Sequence, residues 1–287
     1  MSCVHGCWRD DRVQSRWKKC VSSLPIVGTF ILEGGVYYCY IAGFYQLAEM
    51  SGGNITLHVL VSFFFLYALL LQVQCMLISP GNIKSGELEA VDTASHLTHL
   101  GDMVEEDYIA GKTTPCDKCN RLRPARAHHC SLCQTCVYRY DHHCPWIGNC
   151  IGLKNYRLFL LYLTSVTVCA GLIGVSCAVY AGRHEDYRKE TLAGAVIGLA
   201  TLAGVGSFTF AHYIFLSINR TTIEVRAHSR NIFNVGMVRN WVETCGPLWF
   251  LWLCPFPLHP QADGVRYPVV IGLKDGSVQR IDRKLLT

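Results

Sequence analysis

Four long apolar runs divide this chain, and they limit its fold more than any other feature of it. They cover residues 24 to 47, 55 to 78, 157 to 181 and 191 to 218. Each reaches the roughly 20 residues needed to cross a hydrocarbon core of about 30 Å. The apolar residues are bunched, not spaced at the period of a surface helix. Composition argues the same way against a soluble protein: 51% of the 287 residues are hydrophobic and only 16% charged. The expected fold is an all-α polytopic membrane protein, with four transmembrane helices and a cysteine-rich domain between the second and third. The first run is too long for the apolar core of a secretory signal and lacks a small-residue cleavage site, so no cleavable leader is expected.

Basic residues set the expected orientation. Arg9, Arg12, Arg16, Lys18 and Lys19 precede the first run, and the link between the first two runs has no Lys or Arg. Residues 79 to 155 carry eight and the tail after 218 carries nine. This bias puts both termini and the 79–155 segment in the cytosol, whether of an endomembrane or of the plasma membrane. The net charge of +5 is mostly this topology signal, and it also attracts anionic lipid headgroups. The expected organisation is a cytosolic segment over 1–23, spans over 24–78, a cytosolic cysteine-rich domain over 79–156 with its core at 114–156, spans over 157–218 and a cytosolic region over 219–287.

Seven of the 16 cysteines fall between residues 116 and 150, in "CDKCNRLRPARAHHCSLCQTCVYRYDHHCPWIGNC". Cytosolic thiols stay reduced, so disulfides are not expected. Cys39, Cys75, Cys169 and Cys177 lie within spans and read as small apolar residues. In the dense segment, Cys116 and Cys119 form one CxxC, Cys130 and Cys133 another, and Cys136 overlaps the second. Paired thiolates at this spacing suit tetrahedral zinc. With His128, His129, His142 and His143 there are eleven candidate ligands, while two tetrahedral sites use eight. The count alone does not say which are spare. Chemistry favours Cys144 as a spare thiol, because it follows His142 and Asp141. An imidazole beside a cysteine, oriented by a carboxylate, is what activates a thiolate. A nucleic-acid-binding zinc finger is weighed against by tethering to membrane spans on both sides and by the lack of a recognition helix.

These motifs resemble the DHHC family of integral-membrane protein S-acyltransferases. The resemblance rests on "DHHC" at 141–144, the cysteine pattern before it, "PWIGNCIGLKNYRLF" after it, the four-span layout and "TTIE" at 221–224, which is similar to the family's TTxE element. "SPG" at 79–81 departs from the family's Asp-Pro-Gly, although Ser79 can still accept a hydrogen bond. The resemblance implies two structural zinc ions, one held by Cys116, Cys119, His129 and Cys136, the other by Cys130, Cys133, His143 and Cys150. It leaves Cys144, His142 and Asp141 for catalysis. The implied activity is transfer of a palmitoyl or other long-chain acyl group from acyl-CoA to Cys144 and then to cysteines near the membrane on client proteins.

An acyl chain of 16 carbons needs an apolar cavity among the spans. Cys169, Gly171 and Gly174 in the third and Gly204 and Gly206 in the fourth either leave that room or serve close helix packing. Glu33 either lines the cavity or bonds to Tyr37 or His212. Arg123, Arg126, His128 and Lys154 are candidates for the phosphates of CoA. Thr221 and Thr222 are expected to pack the tail against the catalytic domain, and an asparagine near Asn240 to make polar contacts, as the resemblance implies. Trp241, Trp249, Phe250 and Trp252 suit an interfacial segment, and "RYPVVIGLKDGSVQRID" at 266–282 suggests a small hairpin. Cys3, Cys7 and Cys20 are either acylated themselves or plain thiols. A catalytically silent adaptor would have no use for a spare thiol beside His142. A channel or transporter would show paired charges in its spans.

Overall fold

The computed structural model describes residues 11–47, 52–83, 113–183, 188–228, 230–273 and 276–281. Cys3 and Cys7 lie outside the described residues, and of Cys20 only the helical backbone is described. Four long helices match the four apolar runs: α1 (Asp11–Leu47), α2 (Gly52–Leu77), α3 (Tyr156–Arg183) and α4 (Arg188–Ser217). All four are long and apolar enough to cross a membrane. Helix α1 begins well before its apolar run, so the basic stretch from Arg12 to Lys19 continues the first span as helix.

Small residues set how the spans pack. A Cβ added at Gly198 of α4 would lie 2.8 Å from the Gly174 Cα of α3, so the two backbones touch there. A Cβ at Gly194 would meet the Cys177 sulfur at 2.8 Å. Without a hydrophobic drive between helices in lipid, such close backbone approach is what holds spans together. Gly171 faces Leu202, and Gly206 faces Thr167. Both therefore belong to the α3–α4 seam.

Between α2 and α3 the described residues form three short antiparallel hairpins: β1–β2 (Thr114–Cys116, Arg121–Arg123), β3–β4 (His128–Cys130, Thr135–Val137) and β5–β6 (His142–Cys144, Asn149–Ile151). They start at residues 114, 128 and 142, so the unit repeats every 14 residues. Each has strands of three residues joined by a four-residue turn. The last turn position is Asn120, Gln134 or Gly148, with φ of 49°, 52° and 70°. The expectation of an all-α protein is therefore corrected. The helical reading holds for the spans, but the cysteine-rich segment is built of hairpins. Strands of three residues are too short to show an alternating pattern.

After α4 come α5 (Thr222–Arg226), α6 (Met237–Cys245) and a final hairpin, β7–β8 (Val269–Gly272, Val278–Ile281). The hairpin expected near the C-terminus is present. Its Val269, Ile271 and Ile281 share one core with Ile83, Tyr138 and Leu153 of the cysteine-rich segment. The tail is thereby folded onto the segment that precedes α3. Ser79 accepts from the backbone N–H of Gly81 at 3.3 Å and of Asn82 at 3.5 Å, which fixes the turn leaving α2.

Candidate active site

Among the described residues two groups of four side chains converge, Cys116, Cys119, His129 and Cys136 in one, Cys130, Cys133, His143 and Cys150 in the other. Within the first, Cys119 Sγ is 3.2 Å from His129 Nδ1 and 3.6 Å from Cys136 Sγ. In the second, His143 Nδ1 is 3.4 Å from Cys133 Sγ and 3.6 Å from Cys150 Sγ. A tetrahedral zinc with bonds of roughly 2.0–2.3 Å has ligand atoms roughly 3.3–3.8 Å apart. Both groups fit a closed zinc site of three thiolates and one imidazole.

The 14-residue register explains the interleaving. Each site takes the first and last thiols of one CxxC turn, and completes itself with a histidine and a cysteine from the next hairpin. His129 and His143 hold the same position in the second and third hairpins, as do Cys136 and Cys150. Cys144 occupies in the third hairpin the position of Cys116 and Cys130 in the first two. Its turn has Ile147 where the others have Cys119 and Cys133. Among the described residues no fourth hairpin follows the third, and Cys144 is in neither metal group.

Its neighbours are polar and ordered. The thiol shares a cavity wall with the His142 ring and helps to raise the pKa of that ring. His142 Nδ1 lies 2.7 Å from Asp141 Oδ2, which leaves Nε2 for the sulfur. Asp141 is itself held by α5: the Thr222 N–H donates to Oδ1 at 3.0 Å, and the Thr222 hydroxyl lies 2.5 Å from the Asp141 carbonyl and 3.1 Å from Oδ2. Burial alone would raise the Asp141 pKa. The hydrogen bond and charge of His142, with the Thr222 N–H, outweigh burial and hold it below the usual carboxylate range. Burial pulls His142 down, but its bonds to Asp141 and Cys144 outweigh that and push it up to about 9. Its ring is walled by Phe159, Phe208 and His212, at centroid distances of 5.4, 6.4 and 6.0 Å.

Cys144 and His142 also close one end of an apolar cavity of about 540 Å³ among the four spans. That lies within the roughly 300–1,000 Å³ usual for small-molecule sites. Along α3 its wall runs from Phe159 to Ile173, about 21 Å at 1.5 Å per residue. Cys169 and Gly204 line it. Gly171, Gly174 and Gly206 do not.

Residues 109–229 match the family model described as DHHC palmitoyltransferase. The chain is 30% identical to "Probable protein S-acyltransferase 15" of Arabidopsis thaliana over 215 residues, covering 67% of this chain and 80% of that protein. The chain belongs to the DHHC protein S-acyltransferases. It is also 28% identical to "Probable protein S-acyltransferase 13" of the same plant, across 89% of this chain and 91% of the relative. "Palmitoyltransferase ZDHHC15" of Xenopus laevis is 34% identical over 56% of this chain and 51% of its own length.

Within this S-acyltransferase the groups considered for CoA are dispersed. Arg126 is buried, with Nε 2.7 Å and Nη2 3.0 Å from the Glu224 carboxylate and Nη1 3.0 Å from Asn219 Oδ1. Its guanidinium also lies 4.4 Å from the Phe233 ring centroid. Its place among the phosphate ligands is corrected: Glu224 and Asn219 engage both of its edges, so it joins the tail to the cysteine-rich segment. Arg123 bonds Thr114 across its hairpin at 2.8 Å. Lys154 is exposed beside the turn at Gly81. Only Arg126 and His128 share a pocket, of about 330 Å³, also lined by Arg220 and Arg230.

Glu33 lines the cavity, and its Oε1 accepts from the Tyr162 hydroxyl at 2.9 Å, not from Tyr37 or His212. Tyr37 bonds Ser62, and His212 Nδ1 lies 3.0 Å from the Tyr156 hydroxyl. Asn240 is buried and bonds Val235, Ser217 and Asn234, as expected of the tail. Sequence reasoning missed Asn219, which joins Arg126 and Arg139 to the Phe233 carbonyl. It also missed Asn149, whose amide donates to the carbonyls of Cys75 and Ile78 at the end of α2, at 3.0 Å each. The available signal was position: Asn219 follows the last apolar run directly, and Asn149 sits between Gly148 and Cys150.

Proposed function

We propose that Cys144 carries the acyl group between a long-chain acyl-CoA, palmitoyl-CoA above all, and cysteine thiols of client proteins near the membrane. One observation carries this reading. Cys144 holds a ligand position of the repeat yet belongs to neither metal group, and it faces His142–Asp141 at the end of an apolar cavity.

His142 takes the Cys144 proton, and Asp141 orients the ring and stabilises its cation. The thiolate attacks the thioester carbonyl. The tetrahedral adduct collapses by breaking the bond to the CoA sulfur, which leaves with the proton from His142. A client thiol then attacks the acyl-Cys144 thioester by the same route and regenerates the Cys144 thiol. Both steps exchange one thioester for another, so the protein's task is to position the reactants and exclude water. The cavity length along α3 suits a 16-carbon chain, and the His128 side of the smaller pocket suits the CoA phosphates, with Arg123 and Lys154 as outlying cations. Two zinc ions, when bound, lock the three hairpins together with no open position for water. The eight ligands and the bias of basic residues go with a cytosolic cysteine-rich domain and cytosolic termini.

The test is incubation of purified protein with labelled palmitoyl-CoA. A hydroxylamine-sensitive adduct is expected, absent from Cys144→Ser, with about two zinc ions per chain in both proteins. Zinc loss in Cys144→Ser as large as in Cys116→Ser would overturn the division between nucleophile and ligands.

A further inference from the structure

Residues 246 to 259, "GPLWFLWLCPFPLH", contain no Asp, Glu, Lys or Arg. Only one helical turn interrupts an otherwise irregular backbone there, Trp249–Leu251. Trp249, Phe250, Leu253 and Phe256 are 73, 59, 77 and 67% exposed. Trp241 and Trp252, expected at an interface with them, instead face inward: their rings lie 5.5 Å apart, and Trp241 stacks on Tyr213.

The backbone is turned the opposite way to the exposed side chains. Arg157, the second residue of α3, donates to the carbonyls of Trp252 at 2.9 Å, Cys254 at 2.8 Å and Phe256. The Tyr67 hydroxyl donates to the Leu253 carbonyl, and Trp252 Nε1 to the Gly246 carbonyl at 2.9 Å. Irregular backbone survives at membrane depth only where protein satisfies its polar groups. Here protein donors take the carbonyls, and apolar side chains point outward.

Depth follows from Tyr67. It lies ten residues before Leu77, the end of α2, or about 15 Å along the axis. The Tyr67 side chain spans less than half of that distance, so the Leu253 carbonyl sits well below the end of α2. All 26 residues of α2 measure about 39 Å, some 9 Å more than the hydrocarbon. Divided between two ends, that overshoot still leaves Leu253 at or inside the hydrocarbon edge. The patch is also continuous with the outward face of α2, where Phe63, Leu66 and Leu70 are exposed around Tyr67.

We propose that residues 248 to 256 form a re-entrant segment inserted into the hydrocarbon of the leaflet next to the metal groups, with lipid acyl chains as its partner and Arg157 as its clamp. The segment connects α6 to the final hairpin, so it ties the tail that holds Asp141 to the bilayer itself.

The test uses the full chain in nanodiscs, comparing wild type with Trp249→Phe so that the other tryptophans cancel. The difference emission should fall at least twofold in lipid brominated at carbons 6 and 7 of the acyl chain, and iodide in the water should barely quench it. Equal emission in brominated and plain lipid, or iodide quenching like that of a free indole, would overturn insertion and leave the patch to a client protein. Arg157→Lys, compared with and without Trp249→Phe, tests the clamp. One ammonium cannot span three carbonyls, so the lipid quenching should at least halve. Unchanged quenching would remove Arg157 from the proposal.

Discussion

Glu224→Gln is the sharpest probe of how the tail supports the active site. The Arg126 and Glu224 side chains are 1% and 13% exposed, and their two contacts measure 2.7 and 3.0 Å. Removing one partner of a buried ion pair costs about 3–5 kcal/mol, because the other charge stays buried and unpaired. Glutamine preserves the shape and one acceptor, so the expected cost is near the lower end, about 3 kcal/mol. A domain of this size loses about 2–4 °C of melting midpoint per kcal/mol, giving a drop of roughly 6–12 °C. Tryptophan fluorescence of the purified protein in detergent reads it. Acyl-Cys144 formation well below the midpoint should also slow, since Thr222 lies in the same five-residue helix as Glu224 and holds Asp141. The double variant Arg126→Met, Glu224→Leu removes both charges, and its midpoint should lie above that of Glu224→Gln. A shift under about 2 °C in Glu224→Gln, or a double variant that loses the sum of both single losses, would refute the reasoning.

Two further outcomes follow from the geometry. His143→Ala should lose metal and become protease-sensitive, since binding and folding are one event in such a site, whereas His142→Ala should keep its metal and acylate slowly; metal analysis and limited proteolysis compare them. Cys169→Phe should shift preference from 18-carbon towards 14-carbon acyl-CoA, while Gly171→Phe, which faces Leu202 and not the cavity, should lower stability and all chain lengths together; a chain-length competition series against labelled palmitoyl-CoA separates them.

The spans were legible because their signal is cumulative: some 20 apolar residues in a row leave few alternatives. The two groups that could hold metal were legible from spacing only up to an ambiguity, since eleven candidates for eight places leave several assignments. Geometry groups them because His129 and His143 sit at one position of a repeat that sequence reading did not detect. The repeat is hard to see because its units share few residue types: Pro115, His129 and His143 are equivalent, as are Leu122, Cys136 and Cys150. Arg126 was misjudged for a related reason. A surface phosphate ligand and a buried structural cation look the same until Glu224, 98 residues away, is placed against it. Glu33 lines the cavity, one of the two readings open for it, but its partner Tyr162 is 129 residues distant, beyond any local pattern.

The 14-residue register gives the spare thiol an unusual origin. In a stack where each unit lends its turn to the next, the final unit has an overhang, much as a polymer ends on an unsatisfied bond. The exclusion of Cys144 from both metal groups is then an end effect, set by where the series stops. Five residues after the third hairpin the chain enters α3 and the membrane, so the overhang always falls at the lipid boundary. The number of hairpins acts as a ruler. One more after the third would offer Cys144 the histidine and cysteine that complete each of the other groups, and the described series stops at three.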